Sequence, residues 1–206
     1  MQPYTFANPG WHGLHAVAVY CGATLPNVSD FITQVTRFGT WMGEHGLNLV
    51  YGGSNEGTMK VLADAVSASG GKLTGIFTQN LPPSLMRPGL DESFIARDLA
   101  ERKAEMLRRS DCVVALPGSY GTWDELCDAM ALRKVMRNGI HHPIGVLNLH
   151  GFFDPLLEFI ENSWRLGFTS DRWRHILRAA STPDELFPLL AQDQLTNTTH
   201  ETGCVS

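Results

Sequence analysis

Five short apolar runs, each closed by a small or turn-forming residue and separated from the next by a longer segment, constrain this chain more than any other feature. His15 to Tyr20 ends in Cys21-Gly22-Ala23, Leu47 to Tyr51 in Gly52-Gly53, Cys112 to Leu116 in Pro117-Gly118, and Pro143 to Leu147 in Asn148. Leu73 to Phe77 leads into a proline-rich stretch. Strand-length runs alternating with helix-patterned segments are the signature of βαβ units stacked into a parallel sheet. Helices are expected over about Asp30–His45, Asn55–Ser69, Asp98–Ser110, Tyr120–Arg137 and Gly151–Leu166, with shorter ones near Asp171–Ala180 and Thr182–Ala191. The fold class that follows is α/β, a parallel sheet flanked by helices in a single domain over residues 1–191.

In an open parallel sheet, ligands bind beyond the carboxyl ends of the strands, so the turn residues should share one rim. The stretch Thr78 to Glu92, with Pro82, Pro83 and Pro88, reads as a loop over that rim. Residues 192–206 are polar and without periodicity and read as a disordered tail. A chain of 206 residues, 43% of them hydrophobic, can bury one sheet-centred core.

The formal charge of −5 argues against a broad nucleic-acid surface, which needs clustered Lys and Arg, so any phosphate bound should be small and held locally. No stretch approaches the roughly 20 apolar residues needed to cross a bilayer. Met1-Gln2-Pro3-Tyr4 lacks the charged and apolar segments of a secretion signal, so the expected location is cytoplasmic, with no membrane partner. Cys21, Cys112, Cys127 and Cys204 are too widely spaced for a metal or redox motif and read as free thiols.

Two turns carry chemistry. Tyr51-Gly52-Gly53-Ser54-Asn55-Glu56-Gly57-Thr58-Met59 follows a strand and opens a helix, where backbone N–H groups can approach a phosphate. It has neither the Gly-Lys-Ser/Thr ending of a P-loop nor the spacing of a dinucleotide site, and a tight strand-to-helix turn explains its glycines equally well. Pro117-Gly118-Ser119-Tyr120-Gly121-Thr122-Trp123-Asp124-Glu125 adds hydroxyls and two carboxylates to a helix start, although acids in a first helical turn are also commonly structural. Before the fourth run, Glu101-Arg102-Lys103-Ala104-Glu105-Met106 directs Arg102 and Lys103 to different faces of a helix, where a solvated charged face is the ordinary reading.

Taken together and in order, Tyr51-Gly52-Gly53, Glu101-Arg102-Lys103-Ala104 and Pro117-Gly118-Ser119-Tyr120-Gly121-Thr122-Trp123-Asp124-Glu125 resemble the Lonely Guy (LOG) family, with similarity from about Val17 to Leu190 that includes Gly139 to Pro143 and Gly151-Phe152-Phe153. The resemblance implies a Rossmann-like, usually dimeric enzyme that splits a cytokinin riboside 5′-monophosphate into free base and ribose 5-phosphate without a metal or other cofactor. On matching positions it makes Arg102 and Glu125 catalytic. It assigns substrate contacts to Lys103, Gly118, Tyr120, Gly121 and Thr122, with Gly53 and Gly57 in the other phosphate turn; Ser119, by its hydroxyl, and Asp124 are read as further substrate contacts.

The residues suit that chemistry. Breaking the C1′–N bond builds oxocarbenium-like charge, which a carboxylate such as Glu125 can stabilise while it orients or deprotonates water. An arginine fork such as that of Arg102 can hold the phosphate or fix the carboxylate. The chain departs from the family pattern at Ser54 and Ser119, where glycine is usual, at Glu56, Ser84 and Met130, and at Leu132-Arg133-Lys134. These departures bear on which base is taken more than on the reaction.

Two other readings compete. A non-catalytic module could hold a nucleotide with the same fold, but it would have less need of a carboxylate beside a phosphate. A pyridoxal-phosphate decarboxylase would need a Schiff-base lysine, and none of Lys60, Lys72, Lys103 and Lys134 lies in an evident cofactor motif. His141 and His142 lack a third ligand at metal spacing and read as turn or interface residues. Trp41, Met42, Met106 and Trp123 read as core or interface, and Leu126, Met130 and Leu132 as a face that a partner subunit would cover.

Overall fold

A computed structural model describes residues 11, 13–28, 30–135 and 142–201. Seven parallel strands form one sheet: β1 (Ala16–Tyr20), β2 (Asn48–Tyr51), β3 (Leu73–Thr78), β4 (Glu92–Ala96), β5 (Cys112–Ala115), β6 (Ile144–Leu147) and β7 (Leu177–Ala180). Helices α1 (Phe31–Glu44), α2 (Gly57–Ala68), α3 (Leu99–Arg108), α4 (Tyr120–Val135), α5 (Asp154–Arg165) and α6 (Pro183–Glu201) flank it.

The strand order is β4-β3-β2-β1-β5-β6-β7. From β1 the chain steps outward through β2, β3 and β4, then returns to the other side of β1 with β5. The order therefore reverses between β1 and β5, and the crevice beyond their carboxyl ends is where an open α/β sheet takes its ligand. Side chains alternate across the sheet. Val17, Val19 and Cys21 enter the core beneath α1, α2 and α6, while Ala16, Ala18 and Tyr20 enter the core beneath α3, α4 and α5.

The five expected strands are present, and two edge strands join them. β4 alternates partly buried and exposed positions, as an edge strand with one solvated face does, and pairs with β3 over five residues. β7 corrects the helix expected near Asp171–Ala180: only a single turn at Asp171–Trp173 is helical, and Leu177-Arg178-Ala179-Ala180 lies against β6. Leu, Arg and Ala are good helix formers, but the open hydrogen-bonding edge of β6 overrides that weak local preference.

α6 is a second correction, because it continues to Glu201 where a disordered tail was expected from Gln192. Asp193 anchors it. The carboxylate accepts from Arg178 at 2.7 and 3.1 Å and lies 3.5 Å from Arg133, so a polar stretch is held by ion pairs that no apolar pattern announces. Residues 202–206, with Cys204, lie outside the described residues, as does His141. Cys21, Cys112 and Cys127 are free thiols.

The stretch between β3 and β4 holds one helical turn, Pro83–Leu85, and is tied down over the Gly52-Gly53 turn. Asn55 N–H donates to the Leu85 carbonyl at 2.8 Å, Arg87 N–H to the Gly53 carbonyl at 2.9 Å, and Ser54 pairs with Met86. Among the described residues no helix is long and apolar enough to cross a membrane.

Candidate active site at the sheet switch point

The start of α3 is set locally. The Asp98 side chain caps the helix by accepting from Glu101 N–H at 2.8 Å, and the Glu101 carboxylate takes Arg97 N–H at 2.6 Å. With that register, Arg102 and the fully buried Met106 share one inward stripe four residues apart. In α4 the same spacing puts Glu125, Ala129 and Arg133 on the buried face. The two inward stripes meet over the carboxyl end of the sheet.

Arg102 and Glu125 make contact there. The Nη1 of Arg102 donates to Oε1 of Glu125 at 3.1 Å, while its Nε donates to the carbonyl of Ile76 within β3, 3.0 Å away. Glu125 is only 7% exposed. Burial pushes its carboxyl up to about 7, against the opposing pull of Arg102, with Asp124 raising it further and Lys103 lowering it. A carboxyl poised near neutrality can both take and return a proton at working pH. Beneath it lies Tyr20, whose hydroxyl is buried without a partner and whose ionisation is pushed far up, first by burial and then by the charge of Glu125.

Lys103 and Asp124 lie one residue round from that pair and face each other. Lys103 Nζ is 3.1 and 3.2 Å from the two carboxylate oxygens of Asp124 and 3.5 Å from Asp128. They form the outer margin of the site rather than its floor. Burial pushes the Cys21 thiol up, with Glu125 raising it further, which disfavours the thiolate form.

The two glycine turns close the site from opposite sides. A methyl group at Gly52 would overlap Arg102, one at Gly53 would overlap the Phe77 ring, and Gly57 is fitted against the Ala23 backbone. Gly53 and Gly57 also hold φ of 73° and 58°, which other residues rarely adopt. Gly118 leans on Thr122, whose buried hydroxyl has no partner. Gly121 and Tyr120 are exposed at the helix start. Neither Ser54 nor Ser119 has a positive φ, so serine in place of the family's glycine strains neither turn, and Glu56 is exposed, away from the turn it follows.

A cavity of about 530 Å³ opens beside these turns. Its walls come from three strand ends: Gly22 and Thr24 after β1, Gly118 and Ser119 after β5, and His150 and Phe152 after β6. Glu125 and Arg102 lie on the α3/α4 side of the crevice and the cavity on the α1 side, with the β1 and β5 turns between them. Volume of this order suits a nucleotide-sized ligand. Reading the sequence missed Gly52 as a contact of Arg102, and missed Tyr20 and His150; the one available signal was that each closes, or follows, a strand ending on the rim.

Three side chains read as a partner-facing surface pack inward instead. Leu126 is 1% exposed, and Met130 and Leu132 lie against the same core, because their positions on α4 face the sheet. The exposed aromatics of this helix are Tyr120 and Trp123, which contact each other edge to face at 5.2 Å. Trp41, Met42 and Met106 are core residues as expected. His142 contacts the Leu107 carbonyl at 2.7 Å.

Residues 59–190 match the family model described as "Possible lysine decarboxylase". The chain is similar to two cytokinin riboside 5′-monophosphate phosphoribohydrolases. With LOG5 of Arabidopsis thaliana it is 37% identical over 172 residues, 82% of this chain and 74% of that one. With LOG of Oryza sativa subsp. japonica it is 35% identical over 172 residues, 82% and 70% of the two chains. Among solved structures, the molybdenum cofactor binding protein of Rippkaea orientalis superposes with a TM-score of 0.65 at 18% identity, over 86% of this chain and 96% of that one. At that identity the likeness concerns the fold alone.

Proposed function

Because the chain belongs to the LOG family of phosphoribohydrolases, we propose that it hydrolyses the N-glycosidic bond of a nucleoside 5′-monophosphate, releasing free base and ribose 5-phosphate. The observation that carries this reading is the Arg102–Glu125 pair, its carboxylate buried, at the switch point of the sheet. Cytokinin riboside 5′-monophosphates are the substrates we favour, after the names of the relatives.

In this reading the C1′–N bond breaks with its electron pair going to the base, and the ribose develops positive charge facing the Glu125 carboxylate. Water adds its hydroxyl to C1′; its proton passes to Glu125 and ends on the departing base. A carboxyl balanced near 7 suits both transfers. Arg102 holds Glu125 in place and keeps a share of it ionised.

Backbone N–H groups at Gly118, Ser119, Tyr120, Gly121 and Thr122 cradle the phosphate at the start of α4, where the helix dipole favours an anion. Gly53 and Gly57 shape the opposite turn, and Lys103 with Asp124 borders the ribose side. None of these steps calls on a metal or an organic cofactor.

We further propose a cytoplasmic homodimer, its contact built around the exposed Tyr120 and Trp123 beside the site; sedimentation of wild type and Trp123→Glu tests it. The test of the reaction is release of base and ribose 5-phosphate from a panel of monophosphates, including isopentenyladenosine monophosphate and AMP, by wild type and Glu125→Ala. Turnover confined to wild type supports the hydrolase. Binding without turnover by either protein would make the chain a nucleotide-holding module of the same fold.

A further inference from the structure

Among the described residues, every one lining the 530 Å³ cavity is apolar, hydroxylic or glycine except one. Among the described residues His150 is the single ionisable group in that wall, and it is exposed. It lines the same cavity as Gly118 and Ser119, at the turn that opens α4.

His150 is held there against its backbone preference. Its φ of 55° and ψ of 26° are left-handed, and among the described residues the only other non-glycine with positive φ is Asp30, in the loop that forms another wall of the same cavity. The turn is pinned on both sides: Asn148 accepts from Phe153 N–H at 2.8 Å and donates to Asp154 at 2.6 Å, and Gly151, with φ of 68°, fits against the Asp154 carboxylate. Strain that the surroundings over-determine in this way is characteristic of ligand-facing positions.

Backbone amides and hydroxyls alone can hold a phosphate, but they add no full charge. Among the described residues the cavity wall contains no lysine or arginine, and Arg102 and Lys103 are engaged with carboxylates on the other side of the crevice. An imidazole donates one hydrogen bond when neutral and two when protonated, and it then carries the charge that a phosphate dianion favours.

We propose that His150 is the recognition residue for the substrate's 5′-phosphate, so that the cavity seats the phosphate end of the nucleotide, with the ribose leading out of it toward Glu125, and makes the enzyme selective for monophosphates over nucleosides. This rests on the hydrolase reading for its substrate class, but the site can be tested without turnover.

His150→Gln and His150→Asn keep a polar side chain without the charge, and asparagine also tolerates the left-handed backbone. Each should raise KM for AMP or isopentenyladenosine monophosphate about tenfold, the size of one charged hydrogen bond, with kcat within about twofold and KM for the matching nucleoside unchanged. Calorimetry should show Kd for ribose 5-phosphate weakened by the same factor at an unaltered thermal midpoint. Equal losses on nucleotide and nucleoside, or an unchanged Kd for ribose 5-phosphate in either variant, would overturn the assignment, as would a wild type that does not bind ribose 5-phosphate. A wild type that binds ribose 5-phosphate through His150 yet cleaves no monophosphate would sink the hydrolase reading and leave this site standing.

Discussion

Arg102 lies so close to Gly52 that a methyl group on residue 52 would overlap its Nη2, while Nη1 of the same guanidinium reaches Glu125. The glycine of one turn thus sets the position of the arginine that steadies the carboxylate of another.

Gly52→Ala should therefore act on chemistry more than on folding. The obstructing group is the far end of a long side chain, which can swing away without moving the backbone. Arg102 then leaves Glu125, and we expect kcat to fall about 10- to 100-fold, the cost of a misplaced electrostatic contact, with far-ultraviolet dichroism and thermal midpoint near wild type. Steady-state kinetics at saturating monophosphate checks it; unchanged kcat would separate Arg102 from the reaction.

The acid limb of kcat/KM should lie near pH 7, activity rising as Glu125 ionises. Arg102 lowers this carboxyl, so its removal in Arg102→Met should move the limb to higher pH by about one unit, besides lowering the plateau. A limb that stays in place in the variant would mean that another group titrates there.

Glu125→Gln should make the protein more stable at neutral and alkaline pH while abolishing turnover. Between the ordinary carboxyl value of 4.5 and about 7, the folded chain retains a proton that the unfolded chain has released, so wild-type stability falls as pH rises through that window. The penalty is on the order of 3 kcal/mol above pH 7, and glutamine does not carry it. Urea denaturation at pH 8 should show the gain, and the same comparison near pH 4.5 should show it gone.

Asp193→Ala should destabilise without touching catalysis. It strips the carboxylate from Arg133 and Arg178, the first of them buried, and leaves their charges uncompensated at a cost of about 3 kcal/mol. Denaturation midpoints should drop while kcat stays at the wild-type value, and truncation after Ala191 should reproduce the loss.

Local pattern and elementary chemistry determined much of this protein unaided. The apolar runs ending at Tyr20, Tyr51, Phe77, Leu116 and Leu147 are strands because continuous apolarity at that length suits a sheet buried on both faces. Their turn residues share a rim because parallel strands all end on one side. Arg102 and Glu125 were legible as a pair of motifs, and the order of those motifs identified the family.

Tertiary structure decided what depends on neighbours distant in the chain. β7 is a strand, despite helix-favouring residues, because β6 offers an unpaired edge, and α6 runs on past Gln192 because Asp193 meets arginines from α4 and β7. Leu126 faces the core rather than a partner because of where α4 crosses the sheet. The near-neutral carboxyl of Glu125 and the placement of His150 in the cavity wall arise in the same way. Burial, charge and cavity shape are sums over side chains brought together from several strand ends, and no local window of sequence contains them.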